Sequence, residues 1–146
     1  EYSLSHYNLE TQKIARSKDE KNILEGYTGS FQLAKDVWLF MYYAHGASIN
    51  DVILLKKSDI RNGRGYYTRG KTHKEYSFKI TDRLSLIIDM WANSDKKYVF
   101  PLASGTGLKL YKTVRQKTKL INDHLEEISK ELNLKPFLKT NKPLKF

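Results

Sequence analysis

The side chains with the clearest chemical potential in this 146-residue sequence are cations that fall in two clusters. The stretch from Arg61 to Lys79 holds six lysines and arginines against a single acid, Glu75, and the stretch from Lys96 to Lys119 holds seven and no acid. A cation placed on a phosphate releases condensed counterions, so such clusters are typical of surfaces that neutralise a nucleic-acid backbone. The pattern favours nucleic acid as the partner, with an acidic protein or mere solubility as the alternatives.

Other chemistries find little support in the residue pattern. The four histidines, His6, His45, His73 and His124, are scattered without a metal-ligand spacing, and cysteine is absent. The loop Ser104–Gly107 lacks the Lys-Ser/Thr pair of a phosphate-cradling loop, and no Gly-x-Ser-x-Gly elbow occurs. We therefore expect no metal site, no cofactor, and no thiol or serine nucleophile.

The charge is distributed unevenly along the chain. The net charge is +10, but residues 1–60 carry a net −1 and residues 61–146 a net +11. No apolar run approaches the roughly 18–20 residues of a membrane span, and the first residues do not resemble a signal peptide. These features predict a cytoplasmic, nucleoid- or DNA-associated protein without a membrane partner, whose first part is core and whose later part is binding surface.

The elements that would position the cations follow from hydrophobic periodicity and capping signals. Residues 1–16 are polar and aperiodic and are expected to form a linker or arm. The stretch Val37–Ala44 is apolar at nearly every position, which predicts a buried helix, whereas Asp51 is expected on the outward face of the next one. The helices predicted in this way are residues 17–26, 29–46, 48–57, 81–91 and 112–132.

Between the third and fourth helices the sequence alternates as strands do. Gly65–Arg69 and Glu75–Ile80 predict a hairpin with a basic tip, the Asn62-Gly63 turn precedes it, and Tyr98–Leu102 is a short extended piece that could add a third strand. The prediction is an α+β fold, mainly helical, with a small antiparallel hairpin or three-stranded sheet. The cations expected to contact DNA from the hairpin, the loop and the last helix are Arg64, Arg69, Lys74, Lys109, Lys112, Arg115 and Lys119.

Several stretches resemble the catalytic domain of the tyrosine recombinases, the phage-integrase family, especially integrases of conjugative transposons and related mobile elements. Ala34–Val52 is similar to the family's apolar helix, glycine turn and second helix with an acidic residue. Leu54–Ile60 resembles its Leu-x-x-x-Asp-Ile exit into the sheet, and Tyr67–Lys74 resembles its Tyr-x-Arg-x-Lys-Thr-x-Lys hairpin. Tyr98–Leu102 contains its Phe-Pro pair. The resemblance covers about residues 19–135.

The resemblance implies which residues take part in the chemistry. These enzymes cleave a DNA phosphodiester with a tyrosine and hold the strand as a 3′-phosphotyrosine, so the site needs cations for the charge on the non-bridging oxygens. It implies that Lys71 is the hairpin lysine that protonates the leaving 5′ oxygen, that Ser48 or His45 stands where the first arginine is found, and that Asp51 is the supporting acid. The alternatives are an ordinary phosphate contact or a solvated turn lysine for Lys71, a helix-end residue for His45, a helix cap for Ser48 and an exposed carboxylate for Asp51.

The family's His-x-x-Arg motif does not occur in this sequence, and none of its tyrosines stands in a helix after such a motif. The resemblance therefore implies a partial catalytic domain over residues 17–146 that positions double-stranded DNA for integration or excision but is inactive alone. The full-length parent would act as a DNA-bound homo-tetramer. Two hypotheses stay open beside it, namely a non-catalytic DNA- or RNA-binding module, which the missing arginine favours, and a ribosome-associated or acidic-protein-binding domain.

Overall fold

A computed structural model of the chain describes residues 18–69 and 72–140, which fold into five α-helices, two short 3₁₀ helices (Lys57–Asp59 and Ala92–Ser94) and one sheet. The strands are antiparallel, in the order β1-β2-β3. The predicted α+β fold, mainly helical with a three-stranded antiparallel sheet, is confirmed, and the arm predicted at residues 1–16 lies outside the described residues. In chain order the elements are α1 (residues 18–25), α2 (Gln32–Tyr43), α3 (Ile49–Ile53), β1 (Ile60–Arg61), β2 (Arg64–Thr68), β3 (Glu75–Lys79), α4 (Asp82–Trp91) and α5 (Gly107–Glu131).

Helix α2 is the centre of the hydrophobic core. Its residues from Ala34 to Met41 are all buried, and it packs against α3, α4 and α5. The Phe40 ring meets Phe78 of β3 and Phe100 edge-on, with ring centroids 5.8 and 5.4 Å apart. A helix that is apolar on nearly all sides is stable only when it is covered on all sides, so the predicted burial of this segment is confirmed.

Glu25, at the end of α1, ties that helix to α2 and α4. Its carboxylate accepts a hydrogen bond from the Tyr43 hydroxyl at 2.5 Å and pairs with Arg83 Nε at 2.7 Å. Burial raises the pKa of Tyr43 to about 12, and the hydrogen bond and charge of Glu25 act in the same direction. The hydroxyl therefore stays protonated at neutral pH and remains a donor to Glu25.

The helix predicted over residues 48–57 is too long. Helix α3 ends at Ile53, because the backbone beyond it pairs with a distant segment: Val99 N–H donates to Leu55 O at 3.0 Å, and Lys57 N–H donates to Lys97 O at 2.9 Å. The extended segment after Lys97 thus forms only an isolated β-bridge, which pairs Tyr98 with Lys56 in the loop after α3. It does not join the sheet. The additional strand of the sheet is β1, Ile60–Arg61, which the sequence pattern does not predict.

Helix α5 begins at Gly107 rather than at the predicted Lys112. Thr106 is extended, and its carbonyl accepts the first backbone bond from Leu110 at 3.3 Å. The apolar spacing predicted for this helix is confirmed, because Val114, Ile121, Leu125 and Ile128 are buried on one face. In the described ranges no helix, α5 included, combines the length and the apolar character that crossing a membrane requires.

The strand order follows from two hairpins. Asn62 and Gly63 have φ values of 53° and 73°, the left-handed pair that a two-residue hairpin loop needs, and they place Arg61 opposite Arg64. In the second hairpin Gly65 lies opposite Phe78, and the Phe78 ring covers the space where a side chain at position 65 would stand. The absence of a side chain at Gly65 is therefore what allows the sheet to close onto the Phe78 ring.

Replacing Gly65 with alanine is expected to lower the free energy of unfolding by about 2 kcal/mol, the usual cost of overpacking. A Cβ at this position would lie 2.4 Å from Phe78 Cζ, and Phe78 is itself wedged against Phe40. Urea unfolding followed by circular dichroism measures the change. Gly26→Ala is the matched control, because its added Cβ meets nothing closer than 3.7 Å. Equal stabilities for the two variants would contradict the argument.

Candidate nucleic-acid interface and its cleft

A cleft of about 900 Å³ opens between α3 and the sheet. Its walls come from parts of the chain that are distant in sequence: the α2–α3 loop, α3 and the segment after it, all three strands, and Thr140 from the segment after α5. Ser48, Asp51 and Arg69 line it together. A concave site of this size accommodates a small group such as a phosphodiester.

Ser48 and Asp51 are joined at the start of α3. The Ser48 hydroxyl accepts a hydrogen bond from Asp51 N–H at 3.2 Å, which makes it the N-cap of the helix, and it donates to Asp51 Oδ2 at 2.7 Å. The Asp51 side chain is 10% exposed and faces the cleft. The prediction that Asp51 points outward is therefore wrong, because its carboxylate is drawn toward Ser48 and Arg69.

Arg69 reaches the same carboxylate from the end of β2. Its Nε lies 3.8 Å from Asp51 Oδ2, and its guanidinium carbon lies 4.7 Å from the centre of the Tyr76 ring. Nη2 donates a long hydrogen bond of 3.5 Å to the Tyr67 hydroxyl, while Nε is buried and has no hydrogen-bond partner among the described residues. The guanidinium is thus positioned from three sides, and the described residues provide no further hydrogen-bond partner for it.

Tyr67 is the tyrosine whose hydroxyl lies beside this cation. Burial raises the pKa of the Tyr67 hydroxyl above its ordinary value, although the neighbouring Arg69 charge and hydrogen bond act to lower it. The phenol is therefore neutral at physiological pH and serves the cleft as a hydrogen-bonding group. Its environment disfavours the phenolate that a nucleophile would need.

The other sequence candidates on this side of the molecule are dispersed. His45 is exposed just after the end of α2. The helix is closed there by the φ of 61° at His45 and by the Gly46 N–H, which donates to Met41 O at 2.9 Å. His45 is not among the described residues that line the cleft. Lys71 lies outside the described residues. Lys74 is exposed at the far side of the hairpin tip, and its carbonyl accepts from Arg69 N–H at 2.9 Å.

The candidate DNA contacts on α5 form a separate exposed face. Lys109 and Lys112 border a shallow depression of about 450 Å³ at the start of the helix, and the Arg115 guanidinium lies 5.8 Å from the Tyr111 ring centre. Among the described residues these three cations have no acidic partner within salt-bridge distance. Lys119 differs, because its Nζ pairs with Asp123 Oδ2 at 2.9 Å. The first half of α5 therefore carries the free charge.

Sequence reasoning missed several residues of the cleft wall. Arg61 and Lys56 line it, and Arg61 was visible as a member of the first cationic cluster. Thr140 had no such signal, because it arrives by tertiary folding: its N–H and hydroxyl both donate to Asn122 Oδ1 of α5, at 3.0 and 3.1 Å. The segment after α5 therefore returns along that helix to the cleft.

The cleft is lined by the cations Lys56, Arg61 and Arg69, by hydroxyls, and by the carboxylates of Asp51, Asp59 and Glu75. In the part of the chain that the structure describes, no group of three or more His, Cys, Asp or Glu side chains is arranged to hold a metal ion. Comparison of the chain with protein-family models, with curated proteins and with solved structures found no match. The function is therefore inferred from the geometry of the cleft and from the distribution of charge.

Proposed function

We propose that the chain binds double-stranded DNA and forms part of the catalytic domain of a tyrosine site-specific recombinase. The observation that carries the proposal is the convergence of Ser48, Asp51 and Arg69 in one cleft. The stretches that resemble the recombinases contribute these residues from different elements. A guanidinium held by a carboxylate and an aromatic ring is suited to bind the non-bridging oxygens of a phosphodiester.

In this proposal Arg69 supplies the positive charge that the family pattern expects at position 48. Asp51 orients the guanidinium, and Ser48 holds Asp51 in place by its 2.7 Å hydrogen bond. Lys71, two residues after Arg69, is proposed to protonate the leaving 5′ oxygen. Strand cleavage would also need the tyrosine and the His-x-x-Arg cations of the full-length parent, which we propose acts as a tetramer on DNA.

A non-catalytic nucleic-acid-binding module is the second candidate. Ser48 favours it, because a neutral hydroxyl that caps a helix brings no charge to a phosphate. The two candidates share the binding step and differ in cleavage by the parent. A nicked suicide duplex that traps the covalent intermediate separates them, since only the recombinase accumulates a protein–DNA adduct.

The binding step is tested by fluorescence anisotropy with a labelled duplex at salt concentrations between about 50 and 200 mM. With several free cations engaged, the logarithm of the association constant should fall with the logarithm of salt at a slope steeper than about −3. An RNA duplex of the same sequence and a polyglutamate are the comparison ligands. Tighter binding of either comparison ligand than of DNA would overturn the proposal in favour of an RNA or acidic-protein partner.

Replacing Arg69 with glutamine is expected to weaken duplex binding about 10-fold, because the change removes one cation and leaves the Asp51 carboxylate unpaired near the phosphate. Adding Ser48→Arg to this variant should recover a large part of the affinity, since the new cation would stand beside the same carboxylate. Lys130→Gln, which removes an exposed charge at the end of α5, is the control. A double variant as weak as Arg69→Gln would argue against a shared role for the two positions.

A further inference from the structure

The outer face of the sheet carries a row of three cations. Arg61 on β1 lies directly opposite Arg64 on β2, and Arg64 lies directly opposite Lys79 on β3. Residues opposite each other in antiparallel strands project to the same face, and all three side chains are exposed. Their neighbours Gly65 and Phe78 are buried on the inner face. The strand register thus aligns positions 61, 64 and 79 in one line across the sheet.

The two arginines of the row are held along the sheet by the next pair of residues on the same face. The Arg61 guanidinium carbon lies 4.1 Å from the centre of the Tyr66 ring. Arg64 Nε and Nη2 both donate to Ser77 Oγ, at 3.3 and 2.9 Å. Tyr66 and Ser77 are themselves opposite each other in the register. The guanidiniums are therefore oriented by an aromatic ring and a hydroxyl, neither of which cancels their charge.

Among the described residues, no acidic side chain compensates the charge of the row. None of its three cations has a carboxylate within salt-bridge distance among the described residues. The acid of β3, Glu75, stands opposite Thr68, four residues and about 13 Å along the strand from Lys79. Like charges directly opposite each other destabilise a sheet, so this row has an electrostatic cost that an anionic ligand would relieve.

We propose that this cation row, Arg61, Arg64 and Lys79, is a second contact with the DNA backbone, outside the cleft. Neighbouring strands lie about 4.8 Å apart, so the row is about 10 Å long, and over about 10 Å of helix axis one DNA strand carries about three phosphates. Arg61 and Tyr66 also line the cleft, which makes the row continuous with it. A backbone in the cleft can therefore extend across the outer face of the sheet. This inference rests on the proposed DNA-binding function.

The test compares two triple variants in duplex binding by fluorescence anisotropy over a salt series. The first variant changes three residues of the row to glutamine, namely Arg61, Arg64 and Lys79. The second variant makes the same change at three lysines on α1 and at the end of α5, namely Lys18, Lys21 and Lys130. The first variant should bind about 30-fold more weakly, and its slope of the logarithm of the association constant against the logarithm of salt should be less negative by nearly three. The second variant loses the same charge, but its affinity should change less than threefold.

Thermal unfolding of the first variant distinguishes a binding role from a structural one. Because the change removes repulsion within the row, its melting temperature should equal or exceed that of the unchanged chain. Equal salt slopes for the two triple variants would contradict the proposed DNA contact of the cation row but not the proposed function. A loss of affinity for an RNA duplex without a loss for DNA would also overturn it. If the unchanged chain shows no salt-dependent affinity for duplex DNA, the row and the proposed function both fall.

Discussion

A variant in which Lys109, Lys112 and Arg115 are all glutamine is expected to bind double-stranded DNA about 100-fold more weakly than the unchanged chain. Each residue is exposed on the first half of α5 and free of acidic partners among the described residues, so each can release counterions on meeting a phosphate. At about 1 kcal/mol for each contact, three contacts give that loss. Fluorescence anisotropy at constant salt measures it.

Lys119→Gln is the matched control for this variant. Lys119 lies on the same helix, but its ammonium already pairs with Asp123 at 2.9 Å, so its removal should cost less than threefold in affinity. The triple variant should also reduce the steepness of the salt dependence by nearly three. A triple variant that binds as tightly as Lys119→Gln would show that α5 does not face DNA.

Replacing Asp36 with alanine is expected to lower the free energy of unfolding by about 3 kcal/mol, the largest effect on stability that we expect from a polar residue here. Asp36 is buried in α2, where its Oδ2 accepts a hydrogen bond from Trp91 Nε1 at 2.7 Å and its Oδ1 lies 3.4 Å from Lys35 Nζ. Alanine would leave a partly buried indole N–H and a buried ammonium without this partner. Urea unfolding measures the loss.

Two further variants make the Asp36 result specific. Asp36→Asn keeps an oxygen that can accept from Trp91 but loses the charge, so it should cost about half as much as alanine. Asp89→Ala removes an exposed carboxylate from α4 and should change stability by less than about 0.5 kcal/mol. If Asp36→Ala were no more costly than Asp89→Ala, the link between α2 and α4 would not contribute to stability.

Helix caps and tight turns were predictable from the sequence, because interactions between residues that are close in sequence determine them. The caps Ser48 and Thr81 lie where their residue types predicted helix starts, and each accepts a bond from the backbone N–H three residues later. The Asn62-Gly63 turn determines the pairing of Arg61 with Arg64, because a two-residue loop leaves one register. The bounds of α3 were not predictable, since the residues that end it pair with residues 97–99.

The candidate site was predictable only in its residue types. Asp51 and Arg69 were both singled out in the sequence, but as a helix acid and a hairpin cation without a mutual contact. Their 3.8 Å approach depends on how α3 packs beside the sheet. His45 shows the converse, because the resemblance offered it as the alternative to Ser48 for the position of the first arginine, yet the turn after α2 leaves it outside the described lining of the cleft.

The sequence by itself determined the helical core, the first hairpin turn, the amphipathic stripe of α5 and the concentration of positive charge after residue 60. These are properties of neighbouring residues, so periodicity and composition are sufficient to predict them. The tertiary structure alone decided that Asp51 meets Arg69, that Thr140 returns to the cleft, and that Lys79 extends the row begun by Arg61 and Arg64. The physical reason is that each of these depends on packing or register between distant segments, where the favourable contacts are not encoded in any one stretch of sequence.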